Sequence, residues 1–189
     1  METRKKVLYA SVFSVASFAA AAAIATTFNG YAINAFADPI ANLTLPLIIL
    51  AIGIQIINEK YGPILIALIS ALLYTIAFLP FLSVSLLAVG IIVEIVTRKI
   101  GYRSLSAVIT YTTIAGTGEG ILSTYLAYFM VKVPVPMPGL LDWVVFSVIM
   151  AIESAAMGAI SFKVGNYVIR SGVIKEERKK AQENKVNRR

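Results

Sequence analysis

The chain has neither cysteine nor histidine among its 189 residues. Without cysteine there is no disulfide framework, no thiol nucleophile and no zinc–thiolate site; without histidine the usual metal ligand and proton shuttle are missing too. Charge is also scarce. Asp, Glu, Lys and Arg make up 14% of the residues, against 58% hydrophobic residues and a mean hydropathy of +0.81. One soluble core cannot bury that much apolar surface, so lipid must cover it. No Gly-x-x-x-x-Gly-Lys-[Ser/Thr] loop, His-Glu-x-x-His or Gly-x-Ser-x-Gly is present, which removes ATP hydrolysis by a P-loop and two hydrolase chemistries. The chain reads as a non-enzyme that needs no cofactor.

What it does have is a series of uncharged stretches from Val7 to about Ile169. Crossing a hydrocarbon core of ~30 Å takes roughly 20 apolar residues. The expectation is an all-α integral membrane protein, a bundle of six transmembrane helices at about 7–27, 43–57, 63–79, 81–96, 106–131 and 140–169. Residues 1–174 then form one membrane domain and 175–189 a basic tail. The first apolar run is longer than the core of a secretory signal and is read as a span. Residues 63–96 would make a single helix of ~51 Å, so the chain must turn, and Leu79-Pro80-Phe81 is the place. Residues 28–42, with Asn29-Gly30 and Asp38-Pro39, read as a polar loop. Prolines at 134, 136 and 138 make 132–139 an extended connector.

The net charge of +7 would suggest a nucleic-acid partner in a soluble protein, but its distribution assigns it to topology, and no nucleic acid is expected. Sixteen of the seventeen Lys and Arg fall on the side of the N-terminus, and only Lys132 falls opposite. By the positive-inside rule both termini are cytoplasmic and the number of spans is even. The basic tail would touch anionic membrane lipid.

Two carboxylates fall deep in this apolar body. Glu119, in Ala115-Gly116-Thr117-Gly118-Glu119-Gly120, lies ~18 Å along its helix, and Glu153 lies ~16 Å below Asp142 on the next. Ionisable groups at that depth point to function. Three glycines weaken the helix around Glu119, as in broken membrane helices that present a charge to a ligand. The competing structural reading is close packing through Gly116 and Gly120, with Glu119 bonded to a neighbour. For Glu153 it is an ion pair with Lys163. Helical periodicity puts Asp142, Phe146 and Glu153 on one face, and Thr112, Gly116, Glu119 and Ser123 on another. The two helices could therefore build an acidic pocket opening outward, suited to a cationic or amine-bearing ligand. Trp143 is the ring best placed to face a cation, with Tyr125, Tyr74 and Asn34 as further candidates; Trp143, Tyr125, Tyr128 and Tyr31 also fit an interfacial aromatic belt. Glu94, four residues before Arg98, reads as a structural i,i+4 pair. In the first span, Ala16/Ala20 and Ala19/Ala23 form small-residue faces for packing within the bundle or docking of another subunit.

This layout, with six spans, both ends inside, an alanine-spaced first helix and a polar outer loop after it, resembles the substrate-binding S component of energy-coupling factor (ECF) transporters. The likeness runs from Lys5 to about residue 174. It implies docking of Ala16/Ala20 or Ala19/Ala23 on an ECF coupling membrane subunit, which with two ATPase subunits would complete a vitamin importer. It also implies a substrate in the outer half, near Glu119, Asp142, Glu153 and Trp143, and a multi-pass protein of a prokaryotic cell membrane. Glu153-Ser154-Ala155-Ala156-Met157-Gly158-Ala159-Ile160, followed by Lys163 and Ser171-Gly172-Val173, is similar to the end of the thiamin-precursor (hydroxymethylpyrimidine) branch. Two other functions stay open on the residues alone: a stand-alone carrier coupling protons through Glu119 and Glu153, and a ligand-free membrane scaffold or assembly protein.

Overall fold

The computed structural model describes residues 2–28, 30, 33–131, 133 and 135–171; the basic tail 175–189, Tyr31, Lys132 and Pro134 lie outside the described residues. Within them the protein is all-helical, in the order α1 (Thr3–Thr27), α2 (Ala37–Ile57), α3 (Gly62–Ile76), α4 (Pro80–Ile100), α5 (Leu105–Met130) and α6 (Leu140–Arg170). Helices α1, α2, α4 and α6 are long and apolar enough to cross a membrane, and α3 is a shorter apolar helix. Helix α5 is long but more polar, with Thr110, Thr112, Thr113, Thr117, Glu119, Ser123 and Thr124 along it.

Local chemistry sets most helix ends. Pro63 and Pro80 sit in the first turns of α3 and α4, where a missing N–H leaves no bond unmade. The Ser104 hydroxyl accepts the Ala107 N–H at 3.2 Å to start α5, and the Asp142 carboxylate accepts the Gly139 N–H at 2.9 Å to start α6. Helix α2 begins at Ala37, six residues before the expected Leu43. Two things allow this. Asn34 Oδ1 accepts the N–H groups of Phe36 and Ala37 at 2.9 and 2.8 Å, and Pro39 falls in the first turn, where proline is tolerated. The polar loop is correspondingly shorter than 28–42. Helix α4 continues to Ile100, so Arg98 and Lys99, expected in a loop, form its last turn.

Six contacts close a ring in the order α1, α2, α6, α5, α4, α3 and back to α1, while α2 also touches α3 and α5. Helix α2 is therefore the hub, and every residue from Ala51 to Ile57 is buried. The buried apolar core, including Ala10, Ile54, Ile57, Val93, Val108 and Tyr111, lies toward the near end of the bundle, where α1 begins. Seams there are tied by polar bonds that membrane helices use in place of a hydrophobic drive. Ser14 donates to the Ile66 carbonyl at 3.0 Å, Tyr111 to Ala51 at 3.2 Å, and Gln55 to Ser161 at 2.9 Å. Helix α5 runs unbroken through Gly116, Gly118 and Gly120, so the glycines do not break it. Instead Gly116 and Gly120 let α6 approach, while Gly118 faces Val89 of α4. A Cβ at Gly116 would collide with Ser154 Oγ, and one at Gly120 would lie 2.7 Å from Met150 Cε.

Candidate functional site

Glu119 lies on α5 facing α4. It is 4% exposed, and Ser85 donates to its Oε1 at 2.6 Å. Its Oε2 is buried and has no hydrogen-bond partner among the described residues. A buried acceptor left bare costs roughly 1–3 kcal/mol, more for a charged group, so the arrangement is unfavourable unless something else uses that oxygen. Glu119 lines a small cavity of about 70 Å³ shared by α2, α3, α4 and α5.

Glu153 lies on α6 and turns to α2 instead, where Thr44 donates a hydrogen bond to its Oε1. Its Oε2 is likewise buried and bare. The alternative ion pair is not made: Lys163 is exposed, and no ion pair joins it to Glu153 among the described residues. Helix α2 takes one carboxylate on each side, with Thr44 on Glu153 and Leu43 and Leu47 lining the Glu119 cavity. The two carboxylates therefore do not line one cavity, and neither lines the one that carries Asp142.

Asp142 lies at the far end of the bundle, exposed, with Oδ2 engaged in capping α6. It lines a groove of about 850 Å³ formed by the segment after α1, the proline connector and the start of α6. Asn34 lines the same groove, with its carbonyl oxygen engaged in starting α2. Trp143 sits in an aromatic group beside it. Phe36 meets the Trp143 ring edge-on at 5.1 Å and stacks on Phe146 at 4.2 Å, and Tyr125 lies 6.3 Å from Trp143. Offset and edge-to-face rings of this kind stabilise one another, and here they anchor the loop to α6.

Tyr74, on α3, belongs to a third cavity, about 420 Å³, between α1, α2, α3, α4 and α5 near their far ends, where it meets Phe18 edge-on at 5.1 Å. Asp38, Asn42 and Ser123 line it as well. Sequence reasoning singled out Tyr74 and the Glu119–Ser123 face but missed Asp38, Asn42, Thr44 and Ser85. Asp38 was hidden by being read as a loop residue. Thr44 and Ser85 are ordinary helix residues whose role depends on which helix stands opposite.

Glu94 is buried and fully engaged: Arg98 Nε lies 2.7 Å from its Oε1, and the Tyr61 and Ile64 N–H groups approach it at 2.8 and 3.5 Å. The anticipated i,i+4 pair thus also caps α3. The alanine faces of α1 point away from the bundle. Ala16, Ala19 and Ala23 are exposed and Ala20 is half-buried, while Ala10, Ser14, Ser17 and Ala21 face inward. Among the described residues no three acidic side chains gather as a metal ion would require.

No protein-family model, curated protein or solved structure matches this chain.

Proposed function

We propose that this chain is a six-span membrane protein with cytoplasmic termini. In this reading it is the non-enzymatic, substrate-binding subunit of an ECF-type importer, capturing a small vitamin-like molecule at its outer face. The observation that carries the reading is the uneven filling of the bundle. The near half holds the main cluster of buried apolar side chains, and cavities of about 850 and 420 Å³ lie toward the far half, with the Glu119 carboxylate beneath one of them. The one-sided Lys and Arg support a reading with the near half in the cytoplasmic leaflet and the cavity-bearing half outward. Helix α3, at ~22 Å, is short for a span, and packing against α1 and α4 lets it serve as one. The outward alanine face of α1 supports docking of a coupling membrane subunit, since small residues allow close helix approach. Two ATPase subunits would supply the energy for uphill transport. Thiamin and its pyrimidine precursor are the first ligands to try.

The experiment is calorimetric titration of the purified chain with thiamin, hydroxymethylpyrimidine and a panel of other vitamins, together with purification from native membranes. Binding of one compound and co-purifying ATPase subunits are expected. No binding of any compound would remove the substrate reading. Uptake into vesicles driven by a proton gradient without ATPase subunits would replace it with a stand-alone carrier.

A further inference from the structure

Five of the six helices close a ring of their own. Helix α1 packs on α2, α2 on α5, α5 on α4, α4 on α3, and α3 back on α1. The cavity of about 420 Å³ lies within this ring toward the far end, and the cavity of about 70 Å³ lies beneath it. The two are stacked along the same three helices. On α2 the lining passes from Asn42 to Leu47 through Leu43, which lines both; on α4 it passes from Leu82 to Leu86; on α5 it passes from Ser123 to Glu119. Each step is about one helical turn. Glu119 therefore stands one turn below Ser123, ~16 Å from the far end of α5. This space lies apart from the groove that carries Asp142, with which it shares no lining residue.

The carboxyl groups of the lining have no basic counterpart. Asp38 lines the upper cavity and Glu119 the lower, and neither has a lysine or arginine in its lining. Asp38 lies close to Asn42 and Gly30. Asn42 Oδ1, buried and without a hydrogen-bond partner among the described residues, is one acceptor in the chamber; Glu119 Oε2 is a second. The wall beside them is aromatic, with Phe18 and Tyr74 in edge-to-face contact. Unpaired acceptors, carboxylates and ring surface in a low-dielectric enclosure suit a cation that also carries N–H donors. The volume falls within the ~300–1,000 Å³ of small-molecule sites.

We propose that helices α1 to α5 enclose a cation-selective chamber, entered from the far end, that takes a small organic amine or ammonium ion against Asn42 and Glu119. This rests on reading the bundle as a substrate-binding membrane subunit, and it moves the site from the α5/α6 face to the interior of the five-helix ring.

The absence of native cysteine makes a direct test possible without knowing the ligand. Single-cysteine variants Ser123→Cys and Asn42→Cys of the full chain would be treated with a methanethiosulfonate bearing trimethylammonium and with its sulfonate counterpart. Each rate would be normalised to the same reagent's rate with a small free thiol, and Phe78→Cys, at a position 90% exposed, would report the reactivity of an open site. Both chamber variants should react faster with the cationic reagent by on the order of tenfold or more, as expected of a cleft lined by one charge sign. Adding Glu119→Gln should reduce that ratio in Ser123→Cys. Chamber cysteines that react with neither reagent, or with the same ratio as Phe78→Cys, would overturn the proposal. A vitamin titration that finds no ligand would remove the importer reading while leaving the labelling ratio intact, so the two failures are separable.

Discussion

Glu94 and Glu119 stand on adjacent helices and are equally buried, at 5% and 4% exposure, yet their surroundings differ in kind. Glu94 meets a guanidinium and two backbone N–H groups, and ties the last turn of α4 to the first turn of α3. Glu119 has one hydroxyl donor, a bare oxygen and a cavity in front of it. Burial is therefore no guide to role. A carboxylate whose acceptor sites are filled by the protein is part of the fold, while one left under-filled beside space is available to something else.

The comparison can be broken by substitution. Removing Glu94 should have the largest effect: Glu94→Ala strands two N–H groups and lowers stability by roughly 2–3 kcal/mol, discounted because Arg98 is partly exposed. Thermal unfolding in detergent measures this, and a wild-type melting temperature would contradict the structural role. Gly116→Ala comes next. Its new methyl must push Ser154 or Leu47 aside at the α5/α6 seam, at about 2 kcal/mol, and it should shift the same melting curve. Ser85→Ala removes the only donor to Glu119 among the described residues and should lower stability by about 1 kcal/mol, with a larger loss of ligand affinity than of stability. Glu119→Gln should barely move the melting temperature, within about 0.5 kcal/mol, because Ser85 can still donate to the amide carbonyl. A Glu119→Gln variant as unstable as Glu94→Ala would make the two carboxylates alike and erase the distinction.

The fold was largely readable because its signals are local. Apolar length, the positions of Pro63 and Pro80 and the proline connector mark four of the six helix starts to within a residue, α1 instead beginning at Thr3, four residues before Val7, and the turn at Leu79-Pro80 follows from length alone. The start of α2 escaped because Asn34 and Asp38-Pro39 carry the same residue types as a turn, and only the Asn34 side chain meeting two N–H groups makes them a helix entry. For the site, sequence provided depth and face. It placed Glu119 and Glu153 deep in the bundle and Ser123 beside Glu119. It could not provide neighbours. That Ser85 meets Glu119 while Thr44 meets Glu153 follows from the ring order, with α2 between the two carboxylates, and no periodicity along one helix encodes that. Gly116 illustrates the same limit: its spacing fitted either a ligand-presenting break or tight packing, and the partner α6 decides for packing.

The most direct measurement is calorimetric titration of thiamin and hydroxymethylpyrimidine into the wild-type chain, Glu94→Gln and Glu119→Gln. The predicted result is binding of at least one compound with equal affinity to wild type and Glu94→Gln, and at least ~10-fold weaker binding to Glu119→Gln, the loss expected from one charge-assisted contact. Equal affinity in all three proteins, or no binding to any of them, would contradict the account.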